Sequence, residues 1–65
     1  MTVPEIKRWI EEIVARAGDD EAQHSREDTL HQKVLQAIAN GASEPRLLAQ
    51  AALKTRKIIF ERWCA

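Results

Sequence analysis

Apolar side chains recur along this chain at three- and four-residue steps, the spacing that lines one face of an α-helix. Val3, Ile6, Trp9, Ile10, Ile13, Val14 and Ala17 form the first such stripe, with Lys7, Arg8, Glu11, Glu12 and Arg16 on the opposite side. Thr2-Val3-Pro4-Glu5 opens it, because a Thr hydroxyl accepts a first-turn amide and Pro fits where amides have no helical partner. Gly18 closes it, since glycine adopts the left-handed geometry of a helix stop without strain. The pattern predicts a helix over 4–17.

Asp19 or Asp20 caps a second helix that runs to Asn40-Gly41, predicted over 20–40. Ser25-x-x-Asp28 is a weaker start within it, and one continuous helix is the expectation. Ser43-Glu44-Pro45 begins a third helix by the same capping logic, with Leu47, Leu48, Ala51, Ala52 and Thr55 facing inward. That helix is predicted over 45–63, with a break open near 54–57. There Thr55 either continues the helix or caps a short fourth one carrying Ile58, Ile59, Phe60 and Trp63. Short connections make successive helices neighbours, so the expected fold class is all-α. The chain reads as one domain over 1–65, a small three-helix bundle with a short fourth C-terminal helix as the variant.

Composition narrows the function classes. The chain of 65 residues is 45% apolar and 31% charged, which suits a folded domain rather than a disordered tail. A lone cysteine, Cys64, allows no intrachain disulfide and points to a reducing cytoplasm. No apolar run approaches the ~20 residues needed to cross a bilayer, and the start lacks the plan of a signal peptide, so neither a membrane nor export is expected. Gly18 and Gly41 both fall at helix ends, which leaves no phosphate loop, and Ser25 and Ser43 read as helix caps rather than nucleophiles. No enzyme activity and no cofactor are expected.

One polar group interrupts the second stripe. At about 100° per residue, Leu30, Val34, Ile38, Glu27, His31 and His24 share one face of the helix, with Asp28 on its edge. Imidazoles and carboxylates together are ligand types for zinc, iron or nickel, so His24, Asp28 and His31 are the candidate metal ligands. A fourth ligand would have to come from elsewhere. The plainer reading, which we favour, pairs Glu27 with His31 four residues on and leaves His24 in water.

Charge is unevenly placed. Residues 1–44 carry five Lys/Arg against nine Asp/Glu, and residues 45–65 carry five against one. The second half therefore offers a basic surface, with a solvated helix face as the simplest account. A helix-turn-helix reading of 43–63 would aim Arg56, Lys57 and Arg62 at DNA. Leu53 and Lys54 fit the turn of such a motif poorly. Trp9 reads as core, whereas Trp63 beside Arg62 has the composition of a binding hot spot.

The segments Glu27-Asp28, Val34-Leu35, Ala37-Ile38-Ala39 and Ala52-Leu53-Lys54-Thr55, ending in Phe60-Glu61-Arg62-Trp63-Cys64-Ala65, resemble small uncharacterised accessory proteins of bacteriophages and bacteria. The likeness covers about the last 40 residues and carries no activity; it implies a small cytoplasmic accessory protein with a protein partner. The residues themselves suggest an interaction module, homodimeric because a short chain cannot cover its apolar C-terminal cluster. Its expected partner surface is Ile58, Ile59, Phe60, Arg62 and Trp63, and the alternative is a DNA-binding regulator.

Overall fold

The computed structural model describes residues 1–62. Three helices follow in order: α1 (Val3–Ala15), α2 (Asp20–Ala39) and α3 (Pro45–Leu53), the last tightening into a 3-10 turn over Lys54–Lys57. Each helix packs against the other two. This is the small all-α bundle that the stripes predict, and α2 is one unbroken helix through Ser25.

The ends form for the reasons written in the sequence. The Thr2 hydroxyl accepts the Glu5 amide at 3.3 Å, and Asp19 Oδ1 accepts the Ala22 amide at 3.1 Å. Past α2, the Gly41 amide donates to Ile38 O and the Ala42 amide to Ala37 O, both at 3.0 Å, with Gly41 at φ +89°. That is the pair of crossed bonds of a Schellman stop, and Ala42 supplies its apolar contact by packing on the core. At α3 the expectation needs correcting: the cap position is Glu44, without a side-chain bond, so Ser43 is not the cap and Pro45 carries the start.

The core is Ile6, Ile13, Leu30, Val34, Leu48, Ala51 and Ala52, flanked by Met1, Val3, Trp9, Ile10, Ala37, Ile38, Ala42, Ile58 and Phe60. Extents of 35 × 21 × 14 Å explain why it is so small. Each of the three helices packs on the other two and no further layer covers their outer faces, so no element is surrounded on all sides. Val14 and Leu47, both assigned to inward stripes, are accordingly about half exposed, because they lie at the margins of those stripes.

The C-terminal part departs most from the pattern. The third helix does not reach 63, and residues 58–62 form no fourth helix. Thr55 neither continues α3 nor caps a new helix; buried within the 3-10 turn, its hydroxyl donates back to Ala52 O at 3.1 Å. The chain then leaves extended, with Ile58 at φ −76° and ψ 129°.

Gly41 tests the α2 stop. Nothing lies within 4 Å of where its Cβ would be, so only backbone strain opposes a side chain. Gly41→Ala is expected to lower unfolding stability by about 1 kcal/mol. Urea denaturation followed by circular dichroism measures this, and an unchanged midpoint would contradict the assigned geometry.

Candidate functional site: a tail clamped to a buried carboxylate

The polar interruption of the α2 stripe is where the tail is fastened. Glu27 is only 2% exposed, facing the tail rather than solvent. Both of its oxygens are taken by Arg62, with Nε donating to Oε1 at 2.8 Å and Nη2 donating to Oε2 at 3.1 Å. This bidentate geometry is what the planar guanidinium provides and a lysine cannot. Nη2 also donates to Thr55 O and Ile58 O, each at 3.0 Å, and the guanidinium lies 3.8 Å over the Phe60 ring.

Thr55 and His31 extend the network. With the Thr55 hydroxyl committed to Ala52 O, His31 Nε2 donates to Thr55 Oγ1 at 3.0 Å. Burial is the largest single influence on Glu27 and alone would raise its pKa, but hydrogen bonding to Arg62 and Thr55 and the nearby positive charge together outweigh it, and the carboxyl sits below its ordinary value of 4.5. The same contact raises Arg62.

This replaces the expected Glu27–His31 pair: Glu27 binds a cation 35 residues away, while His31 serves the turn. His24 is not left in water either. It is buried, with Nε2 3.5 Å from Asp28 Oδ2 one turn on. The candidate ligands His24, Asp28 and His31 are thus not brought together: His24 and Asp28 meet, whereas His31 turns to Thr55. Among the described residues no three His, Cys, Asp or Glu side chains gather within reach of one ion.

The expected partner surface is divided. Ile58 and Phe60 pack on the core and Arg62 is bound to Glu27, whereas Ile59 between them is 97% exposed. Trp63 lies outside the described residues. Of the nucleic-acid candidates, Arg56 and Lys57 are exposed on the 3-10 turn, Arg62 is committed inward, and residues 58–62, where a helix-turn-helix would have its second helix, are not helical.

A second tie escaped sequence reasoning. Gln23 is buried and its Nε2 donates to Ile13 O at 2.9 Å, joining the start of α2 to the last turn of α1. An open groove between the start of α1 and α3 is lined by Val3, Pro4, Leu47, Ala51 and Lys54, and by none of the candidate metal, nucleic-acid or partner residues. Among the described residues no helix is long and apolar enough to cross a membrane. Comparison with protein-family models, curated proteins and solved structures finds no match.

The clamp has a signed pH dependence. Because folding lowers the Glu27 pKa, its contribution is fully present above the ordinary value of 4.5 and is lost as pH falls below that value toward the folded pKa. Arg62→Ala strands a buried carboxylate and is expected to cost about 3 kcal/mol. It should also move acid unfolding to higher pH, because burial without the guanidinium raises the carboxyl. Arg62→Lys keeps the charge without the fork and should fall between the two. Thermal melts from pH 3 to 7 check this; an acid transition unmoved in Arg62→Ala would contradict the clamp.

Proposed function

We propose that this chain is a small protein-interaction module whose contact surface is the clamped C-terminal segment, with a second copy of the chain among its partners. The observation that carries this reading is Ile59, 97% exposed between two residues that pack inward. An apolar side chain on a loose tail would be unremarkable, since single exposed apolar residues are common. Here the Arg62–Glu27 clamp fixes the backbone on either side, so Ile59 is presented at little further ordering cost when a partner binds. Of the five residues expected to touch a partner, Ile59 does so directly, while Ile58, Phe60 and Arg62 hold the segment in place. Trp63, the fifth residue of that surface by sequence, lies outside the described residues. Occlusion or scaffolding is the mechanism such a surface supports. The proposed setting is the cytoplasm, as an accessory protein of bacteriophage or bacterial type.

A DNA-binding regulator is the second reading, favoured by one observation. Lys54, Arg56 and Lys57 are exposed on the 3-10 turn on either side of the buried Thr55, and none forms an ion pair with an acid among the described residues. Arg62 drops out of that surface because its guanidinium is engaged by Glu27. Such binding would weaken steeply with salt through counterion release, whereas contact through Ile59 would not.

The test is capture from a bacterial lysate by tagged chain, with and without nuclease, alongside Ile59→Asp. The expected result is a nuclease-resistant protein held at near-stoichiometric yield by the parent chain and lost with Ile59→Asp. Capture that disappears with nuclease and survives Ile59→Asp would transfer the reading to nucleic acid.

A further inference from the structure

The groove between the start of α1 and α3 carries opposite charges at its two ends. Its floor is apolar, with Val3, Ala37 and Ala42 half-buried and Leu48 and Ala51 buried. Leu47, which also lines it, is 46% exposed. Glu44 and Lys54 line it as well, one just before α3 and one just after, on the order of 15 Å apart at about 1.5 Å of helical rise per residue. Both are exposed, the Glu44 side chain makes no cap bond, and neither forms an ion pair among the described residues. Glu44, Leu47, Ala51 and Lys54 follow one another at the three- and four-residue steps that keep side chains on one helix face. The face therefore reads acid, large apolar, small apolar, base.

We infer that this face binds the same face of a second copy, with the two α3 helices antiparallel about a two-fold axis. The steps from Glu44 to Lys54 are symmetric about Ala49, so reversing the helix sets Leu47 against the other copy's Ala51 and Glu44 against the other copy's Lys54, each on both sides of the axis. The small Ala51 leaves room for a leucine to enter, the way a knob fills a hole between packed helices. A parallel pairing would set Glu44 on Glu44 and Lys54 on Lys54, and like charges across an interface suppress that arrangement. Opposed helix dipoles favour the antiparallel form in the same sense. The occupant is a second copy because the one face supplies both the acid and the base that its own complement requires. The match is isologous, as a closed dimer requires. A contact limited to one short helix and its groove makes a weak, concentration-dependent dimer rather than an obligate one.

The second copy thus has a face of its own, and Ile59 is left to the captured protein of the interaction-module reading, which stands or falls separately. Sedimentation equilibrium over a wide range of loading concentrations tests the pairing with the parent chain, Glu44→Lys, Lys54→Glu, the double variant and Ile59→Asp. Glu44 and Lys54 are exposed, so the fold should survive each charge change, and circular dichroism checks that it does. The parent should self-associate, each single charge variant should do so about tenfold more weakly, and the double variant should recover. An equimolar mixture of the two single charge variants should form the mixed dimer in preference to either self-dimer. Ile59→Asp should self-associate as the parent does. A parent monomeric at every concentration, association indifferent to the charges, or association lost in Ile59→Asp overturns the α3 pairing.

Discussion

An ionised carboxylate with 2% exposure would cost several kcal/mol in a bundle this small unless a cation and hydrogen bonds answered it. Glu27 is answered by Arg62, and the consequences reach across the molecule. The guanidinium arrives from the C-terminal side, and residues 58–62 bring it to α2 without continuing as helix. Its stem and ring partner bring Phe60 onto the core, and Ile58 follows. The tail thereby supplies two of the apolar side chains that cover a core too thin to cover itself. Removing the clamp would leave a buried charge and two unsupported apolar residues together.

A buried ion pair is weak evidence of net stability, since an apolar pair of similar volume can serve as well. What it does supply is position. Leucines in place of Glu27 and Arg62 would adhere in many registers, whereas a bidentate fork accepts one. The Thr55 and His31 bonds act in the same way, fixing where α3 tightens and where the tail departs. Gln23 does so for the first connection by holding Ile13 O. In each case a buried polar group with fixed hydrogen-bond partners sets geometry that seven small or medium-sized core residues cannot.

The helices were legible because their signals are local. Thr2, Asp19 and Gly41 act within four residues of themselves, and the stripes through Ile6, Ile13, Leu30 and Val34 need only helical periodicity. Val14 and Leu47 were misplaced because periodicity identifies a face but not how far a thin neighbour covers it. The anomaly at Glu27 was visible as a carboxylate on an apolar stripe, yet nothing nearby says which cation answers it. His31 stood closer in sequence, and Arg62, 35 residues on, was one of five basic residues in the last part of the chain. The run Ile58-Ile59-Phe60 reads equally as helix or strand by composition. It forms neither, and its long-range tether to Glu27 is not written in its composition.

The Arg62–Glu27 clamp holds Ile59 in place rather than leaving it on a loose end. Backbone 15N relaxation of the full chain, below the concentration at which it associates, measures this directly. Order parameters for Ile59–Arg62 are expected to lie near the about 0.85 of rigid backbone, comparable to α3. Values below about 0.6 across those residues would mean a free tail and would contradict the clamp.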